Sequence, residues 1–446
     1  MVNTTQKLIE RDLNHIWHPC TQMKDFEHYP PFVVYEAKGC YLHTDKGPVI
    51  DAISSWWCKS LGHGYPSVLQ AIQEQLNRFE HVIGANTTHG QIVELAEELT
   101  AISNKQHVFF ASDGSSAVEI AMKLAIHAAA LKGYTKRNRF AALKNGYHGE
   151  TLATLCISDL GIYKEPFKNM QLPCHFIQSI PYVPNAEDPL WQDCGEAWEK
   201  TLQELEPMKD SLCAIVVEPI VQGAGGMHCY SADFLRRLAS FAKEHDIFLI
   251  ADEIMTGLGR TGEWLASDHA NIEPDLICLS KGLTSGALPL SCVLIDHAIY
   301  ELFYADYSTG KSFLHSHTYS GNALAVSAAL ATIKAMKDLN IPEKARAIGA
   351  LMTEEFNKIA QQTGKLANVR SLGGWVAGDL LAHQKPRMGF QLAQEACRRG
   401  ALLRPLGNTV YWLPPLNADV ATIRKLAEIT LNSIEAVYKN RDPGYP

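Results

Sequence analysis

The chain has 446 residues, of which 46% are hydrophobic and 20% are charged, and its formal net charge is −8. This composition excludes a disordered chain, and the length exceeds the roughly 250–300 residues that one core usually serves, so two domains are expected. The acidic balance gives no basic surface for nucleic acid, and no apolar run approaches the length of a membrane span.

The cysteines and the first residues indicate a compartment. Eleven cysteines are scattered without a C-x-x-C pair, and an odd number argues against a disulfide framework. Residues 1–17 lack the basic start and apolar core of a signal peptide. We therefore expect reduced thiols and a cytoplasmic protein.

The first sixty residues predict a helix and a small sheet. Asn3 to Trp17 has the character of a short helix, and residues 33–54 alternate apolar and polar side chains, which predicts an antiparallel meander. The meander runs into Trp56 and Trp57. Adjacent side chains on a strand face opposite ways, so we expect at least one ring at a surface or cleft; core packing is the plainer alternative.

Two strand-to-loop transitions carry candidate binding residues. His107 to Ala111 reads as a strand and runs into Ser112–Ser116, followed by a helical run. Small residues at such a turn expose backbone amides to an anion, although an ordinary helix cap has the same pattern. Arg139 to Leu143 is a second strand, and Tyr147 in the loop after it could stack on a planar ring.

Two later strands end on charged residues. Ile247 to Ala251 stops at Asp252, and Leu276 to Leu279 is followed by Ser280 and Lys281. Strands alternating with helices predict a doubly wound, mostly parallel sheet, whose ligands lie beyond the carboxyl ends of the strands. Asp252 and Lys281 should face one crevice. An amine and a carboxylate there suit pyridoxal 5'-phosphate, because the amine binds its carbonyl and the acid keeps its pyridine nitrogen protonated.

A nicotinamide-dependent oxidoreductase is the rival hypothesis. Gly257 to Gly262 matches the dinucleotide motif G-x-G-x-x-G after a strand. The ribose-binding acid of that motif should end the second strand, whereas Asp275 begins one, and no convincing helix follows Gly262. The rival is therefore the minority interpretation.

The C-terminal part predicts a second domain. His315 and His317 form a His-x-His pair with no third ligand at a fitting spacing, so a loop is favoured over a metal site. Asn322 to Leu339 reads as a long helix leading into mixed helices and strands. We expect residues 1–60 to pack with a small α+β domain of residues 336–446, and residues 61–335 to form the large domain.

Several motifs together resemble the class III, fold-type I pyridoxal phosphate aminotransferases, over nearly the whole chain. They are Ile16–Pro19, Ser54–Trp57, Ser112–Ser115, Asn145–Gly149, Glu218–Gly226, Asp252–Ile254, Gly257–Gly262, Ser280–Gly282 and Arg404–Gly407. The tryptophan pair and the first and last motifs resemble the subfamily that makes 7,8-diaminononanoate for biotin. The resemblance implies an α/β fold with a mostly parallel central sheet flanked by helices.

The resemblance also implies roles around the cofactor. Lys281 is the expected Schiff-base lysine, with a pKa lowered by burial, and Asp252 the partner of the pyridine nitrogen. Tyr147 is expected to stack on the ring. The remaining cofactor contacts are expected to bind the phosphate: Gly114 and Ser115, and, on a loop from the other subunit, Ser316, His317 and Thr318. A homodimer with shared sites follows.

For the substrates, the resemblance implies a ping-pong transfer of an amino group to 8-amino-7-oxononanoate. Trp56 is expected to line the acceptor tunnel beside Tyr147 and Ser316, with Arg404 on the acceptor carboxylate, whose planar shape its guanidinium matches. Arg260 is a candidate for the donor end. The expected donor is S-adenosyl-L-methionine. Cys20 stands where the members that use this donor carry Tyr, so lysine is an alternative donor.

Two further alternatives remain at this point. One is another class III ω-amino-acid aminotransferase, acting on ornithine, 4-aminobutyrate or a polyamine. The other is a protein of the same fold that binds the cofactor without catalysis, which the presence of both Asp252 and Lys281 disfavours.

Overall fold

A computed structural model describes residues 2–381 and 387–439. The strands are β1 (Val34–Lys38), β2 (Tyr41–Thr44), β3 (Gly47–Asp51), β4 (His107–Ala111), β5 (Arg139–Leu143), β6 (Cys174–Ile177), β7 (Tyr182–Val183), β8 (Leu212–Val217), β9 (Val221–Gln222), β10 (His228–Tyr230), β11 (Phe248–Asp252), β12 (Leu276–Leu279), β13 (Ser291–Ile295), β14 (Leu366–Ser371), β15 (Val376–Leu380), β16 (Ala401–Leu402) and β17 (Thr409–Trp412). The α-helices are Val2–His15, Pro66–Leu76, Gly90–Ser103, Gly114–Leu131, Leu152–Cys156, Gly161–Lys164, Gly195–Leu205, Ala232–Glu244, His297–Phe303, Ala323–Asp338, Ile341–Thr363, Met388–Arg399 and Val420–Lys439.

The largest sheet has the strand order β4-β13-β12-β11-β8-β5-β6. Its strands are parallel except β13, which is antiparallel to both neighbours. The predicted parallel sheet is thus confirmed apart from this strand. Residues 280–290 join β12 to β13 through the 3-10 turn Lys281–Thr284. A parallel return needs a longer crossover, usually a helix, so the chain turns back as an antiparallel neighbour.

Side chains of β11 alternate between two helical layers. Phe248 and Ile250 belong to the apolar cluster that contains the helix Gly114–Leu131, and Leu249 to the cluster that contains Ala232–Glu244. Because both faces are covered, the strand is apolar throughout until it reaches Asp252. The first polar side chain of the run therefore marks the edge of the sheet where ligands bind.

The predicted meander β1-β2-β3 is antiparallel, which confirms that expectation, and β16 joins it in parallel beside β3. A separate sheet, β14-β15-β17, packs with the helices of the C-terminal part in a cluster that includes Ile50, Phe356 and Trp412. Within residues 2–381 and 387–439, no helix has the length and apolar character needed to cross a membrane.

Candidate active site

Lys281 and Asp252 lie at the carboxyl edge of the large sheet. Asp252 is the last residue of β11 and pairs with Cys278 of the parallel neighbour β12, which ends two residues before Lys281. Both side chains line one cavity of about 200 Å³. The structure therefore brings the predicted amine and carboxylate to the same crevice.

The Lys281 side chain is buried beside an aromatic ring. Its Nζ lies 4.8 Å from the centre of a Trp57 ring, and its backbone has a φ of +42°. Burial lowers the pKa of Lys281, although the carboxylates of Asp252 and Glu218 oppose this shift. A lowered pKa leaves more of the amine neutral, as a nucleophile or proton acceptor requires.

A buried histidine holds the Asp252 carboxylate. His148 Nδ1 lies 2.8 Å from Asp252 Oδ2, and the two side chains are 0% and 5% exposed. Asp252 Oδ1 accepts the amide of Ile254 at 3.2 Å. His148 Nε2 has no hydrogen-bond partner in the described chain. The contacts of the two Asp252 oxygens, with His148 and with the Ile254 amide, hold the direction in which this carboxylate points.

A second carboxyl group, Glu218, lies immediately beyond β8. Its two oxygens accept the amides of Tyr147 at 3.0 Å and Gly223 at 2.9 Å. Burial raises the pKa of Glu218 to about 7; His148 opposes this shift and Asp252 adds to it. Glu218 thus anchors the loop that carries Tyr147 and His148.

The helix predicted from Ala117 begins earlier, at Gly114, and its first two residues, Gly114 and Ser115, line the cavity. Asp113 caps it by accepting the Ser116 amide at 3.0 Å, and the amides of Gly114 and Ser115 have no acceptor within the helix. Gly149 lies against this turn with a φ of +127°, and a Cβ there would stand 2.2 Å from Ser115 Oγ. Only glycine allows the two loops to approach so closely.

Tyr147 lines both this cavity and a larger one. Its hydroxyl donates to Glu150 at 2.9 Å. Burial, together with the Glu150 charge, raises the pKa of Tyr147, so the phenol stays protonated. The ring is thereby held in place at both its hydroxyl and its backbone amide.

The larger cavity measures about 1030 Å³ and extends from Lys281 to Arg404. Trp56 and Trp57 both line it, so the expectation that at least one ring would lie at a cleft is confirmed. The Arg404 guanidinium lies 4.5 Å from the centre of the Trp56 ring, and its Nη2 donates to the Cys20 carbonyl at 2.9 Å. The two indole rings thus line a cavity that has the Lys281 amine and the Arg404 guanidinium in its walls.

Cys20 and Glu150 form another part of this wall. The Cys20 thiol lies 3.8 Å from Glu150 Oε1, and burial followed by the Glu150 charge raises the pKa of the thiol. No lysine, arginine or histidine of the described chain lies within ion-pair distance of Glu150. This wall therefore offers a carboxylate without a cationic partner.

Some predicted site residues lie elsewhere. Ser316, His317 and Thr318 line neither cavity of this chain; Ser316 and Thr318 are exposed, and the Thr318 carbonyl contacts His81 Nε2 at 2.8 Å. Arg260 also lies outside both linings. Their predicted roles remain predictions.

The glycine-rich loop that contains Arg260 packs against other parts of the chain. Arg260 is 3% exposed and donates to the carbonyls of Gly374 at 3.0 Å and Pro414 at 2.8 Å, and burial lowers its pKa to about 9. A Cβ at Gly259 would lie 2.6 Å from Ile341 Cγ2. The glycines thus allow close packing, which argues against the dinucleotide hypothesis.

The smaller cavity fits pyridoxal phosphate part by part. Tyr147 supplies an aromatic face, Asp252 a carboxylate, Lys281 an amine, and the helix start at Gly114 a pair of free amides. The two cavities are also lined by residues to which the sequence analysis gave no role, namely His148, Glu218, Glu150 and Trp57. Glu218 could have been found by the rule that identified Asp252, since it also follows a buried strand.

Comparisons with known proteins agree with this site. The family model described as aminotransferase class-III matches residues 23–434. The chain is 36% identical over 423 residues to a Helicobacter pylori protein named adenosylmethionine-8-amino-7-oxononanoate aminotransferase, covering 93% of this chain and 94% of that one.

Two solved structures are similar along their full length. The crystal structure of adenosylmethionine-8-amino-7-oxononanoate aminotransferase from Methanocaldococcus jannaschii has a TM-score of 0.89 at 29% identity and covers 97% of this chain and 99% of its own. An amine transaminase from an uncultivated Pseudomonas species, in its pyridoxal phosphate-bound form, has a TM-score of 0.85 at 30% identity, covering 96% and 99%. By sequence, by fold and by the cavity at Lys281, the chain belongs to the class III aminotransferases, which use pyridoxal phosphate.

Proposed function

We propose that the protein transfers an amino group to 8-amino-7-oxononanoate and forms 7,8-diaminononanoate, a step of biotin biosynthesis. The observation that carries this proposal is the passage from Lys281 along Trp56 and Trp57 to Arg404. A keto acid with a long methylene chain needs an apolar wall, with one cation at the far end for its carboxylate. The names of the similar proteins from Helicobacter pylori and Methanocaldococcus jannaschii support the same substrate.

Pyridoxal phosphate supplies the electron sink and carries the amino group between the two substrates. The free amides of Gly114 and Ser115 would bind its phosphate, and Asp252, oriented by His148, would hold the pyridine nitrogen. Lys281 would bind the carbonyl and, once a substrate amine takes its place, move a proton at its Nζ. Tyr147 would cover one face of the ring.

Arg404 and Trp56 would position the acceptor. The guanidinium would present a planar pair of donors to the carboxylate, and its contact with the Trp56 ring at 4.5 Å would restrict where that pair lies. The acceptor chain would then run along the indole toward Lys281. The length of the acceptor chain decides whether its keto carbon reaches Lys281 Nζ.

On the donor side, we propose a cationic amine. Glu150 lies in the wall without a cationic partner, and it attracts a positive group of the donor. S-adenosyl-L-methionine carries a sulfonium and lysine an ε-ammonium, so both satisfy this requirement. Cys20 offers no aromatic surface for an adenosyl group, and for this reason lysine stands as the alternative donor to S-adenosyl-L-methionine. Arg260 stays a candidate for the donor carboxylate.

The two half-reactions, followed separately, test the donor and the acceptor. The pyridoxal form is mixed separately with S-adenosyl-L-methionine, lysine, ornithine and 4-aminobutyrate, and the loss of its visible band is followed. Either of the first two donors should convert it, and 8-amino-7-oxononanoate should then restore it. Conversion by ornithine or 4-aminobutyrate alone would refute the proposed function and leave an ω-amino-acid aminotransferase.

We also propose a homodimer in which Ser316, His317 and Thr318 complete the phosphate site of the partner. Support comes from the exposed apolar side chains around this loop: Tyr307, Leu314 and Tyr319 are 96%, 89% and 65% exposed. Mixing inactive Lys281→Ala with inactive Thr318→Glu chains should restore activity, because one site of each mixed dimer is then intact. No recovery in dimers shown by mass to be mixed would contradict shared sites.

We propose the same division of the chain as above, with borders at residues 60 and 335. The pairing of β16 with β3 supports placing residues 1–60 beside the C-terminal part. A cytoplasmic location is proposed as well, supported by eleven free cysteines and testable by cell fractionation.

A further inference from the structure

Residues Ser54–Trp57 form one turn of left-handed helix. Their φ angles are +50°, +44°, +70° and +75°, and the amides of Trp57 and Cys58 donate to carbonyls four residues back at 2.7 and 2.9 Å. None of the four residues is glycine. Each carries a Cβ that crowds the backbone in this conformation, so contacts outside the turn must hold it.

Asp51 makes two of those contacts, in addition to the Ser54 hydroxyl, which donates to the Leu413 carbonyl at 2.7 Å. Its side chain is 0% exposed; Oδ1 accepts the Ser55 amide at 2.9 Å, and Oδ2 accepts the Ser55 hydroxyl at 2.7 Å. His63 Nε2 lies 2.8 Å from the same Oδ2. Burial by itself would raise the pKa of Asp51, but the hydrogen bonds from His63 and Ser55 hold it below its usual value. A buried carboxylate thus binds the second residue of the turn twice.

Asp51, His63 and Ser55 do not form a nucleophilic triad. His63 uses one nitrogen, Nε2, for both Asp51 and Ser55, the latter at 3.4 Å. The Ser55 hydroxyl donates to Asp51 Oδ2, so its hydrogen is not directed at the imidazole as the serine of a triad requires. Both Asp51 and Ser55 lie outside the linings of the two cavities. The side-chain interactions of Asp51 and Ser55 therefore stabilise the backbone of the turn.

The turn presents adjacent indoles to two different charged groups. Trp57 lies beside Lys281 and is fixed by its Nε1, which donates to the Tyr411 hydroxyl at 3.0 Å. Trp56 lies against Arg404 and is 40% exposed, with no hydrogen bond from its indole to the described chain. Successive side chains on a helix step round by about 100°, and the hand of the turn sets the sense of that step. The direction of Trp56 therefore depends on the left-handed backbone.

We propose that Asp51 is a positioning residue for the acceptor, which it serves by holding Ser54–Trp57 left-handed and so keeping Trp56 in contact with Arg404. The part that concerns the acceptor rests on the proposed function. The consequence is specific to one side of the site, because Trp57 keeps its own bond to Tyr411 when the carboxylate is altered.

The test uses enzyme reconstituted with pyridoxamine 5'-phosphate and mixed with 8-amino-7-oxononanoate, which makes it independent of the donor. Asp51→Asn keeps the shape of the side chain and removes acceptor capacity. Loss of a charge-assisted bond predicts a rise of about tenfold in the acceptor concentration at half-maximal rate. The limiting rate should change far less. In the apoprotein, amide hydrogen exchange of residues 54–58 should accelerate.

Ser55 provides a matched pair of variants. Ser55→Ala and Ser55→Gly both lose the hydroxyl, but only alanine keeps the Cβ that opposes a positive φ. The alanine variant should therefore bind the acceptor more weakly than the glycine variant. Adding Ser55→Gly to Asp51→Asn should recover part of the lost affinity.

Three results would overturn the proposal. Unchanged acceptor affinity and exchange in Asp51→Asn would show that the carboxylate does not hold the turn. A fall in the limiting rate alone, without rescue by Ser55→Gly, would give Asp51 a purely structural role. If the unaltered enzyme does not react with this acceptor, the proposed function is wrong, and so is the role of Asp51 in positioning the acceptor. The hydrogen-exchange measurement still decides whether Asp51 holds the turn.

Discussion

His148 should govern how tightly the protein retains its cofactor. The imidazole contacts the Asp252 carboxylate at 2.8 Å, with both groups almost fully buried. A charge-assisted hydrogen bond of this kind contributes roughly 1.5–3 kcal/mol, and solvent does not screen it here. Replacing His148 with Leu should therefore accelerate cofactor release about tenfold to a hundredfold, because Asp252 loses the group that aims it.

The assay follows the visible band of the holoenzyme after dilution into buffer with a scavenger of free pyridoxal phosphate. His148→Asn and His148→Gln are the matched controls, since Asn places a donor where Nδ1 stands and Gln places one where Nε2 stands. Asn should retain the cofactor nearly as well as His, and Gln should release it as fast as Leu. Equal release from Asn and Gln, or slow release from Leu, would refute the reasoning.

Three further predictions concern the acceptor, pH and the phosphate cradle. Arg404→Leu should raise the half-saturating acceptor concentration about tenfold or more, and Arg404→Lys by less, because lysine keeps the charge and loses the planar fork; normal saturation in Arg404→Leu would contradict this. Burial raises the pKa of Glu218 from 4.5 to about 7. Between these two values lies a pH window in which the folded apoprotein holds a proton that the unfolded chain has released. Relative to Glu218→Gln, the unaltered protein should lose about 3 kcal/mol of unfolding free energy as the pH rises through it; parallel urea-unfolding profiles would contradict the shift. Gly149→Ala should weaken cofactor binding and lower the Tm, since its Cβ meets Ser115; unchanged spectra and melting would contradict the close approach.

The sheet and its charged edge were predictable because burial on both faces leaves continuous apolar runs. Asp252 and Lys281 stand out as the polar residues at the ends of such runs, and the structure brings them to one cavity. The direction of β13 was not predictable in the same way. An apolar run reads alike in either direction, and only the connection from β12, a 3-10 turn without a crossover helix, decides it.

The turn at Ser54–Trp57 could not be read from local preferences, since those residues normally avoid a positive φ. Asp51 and His63 hold it through contacts that depend on the assembled fold. Arg260 illustrates the opposite difficulty: its place in the glycine-rich motif does not reveal that its guanidinium lies outside both cavities. The resemblance to class III enzymes supplied the family, whereas the role of His148 became visible only through its contact with Asp252.

The pairing of β3 with β16 has a consequence for the order of events during synthesis. Ile50 pairs with Ala401, so the wall that carries Arg404 cannot close until residues near 400 have left the ribosome. By then the segments that line the smaller cavity, from Trp57 to Lys281, have all emerged. Because contacts between distant parts of the chain form slowly, a nascent chain can assemble its own part of the cofactor cavity before it can select a substrate.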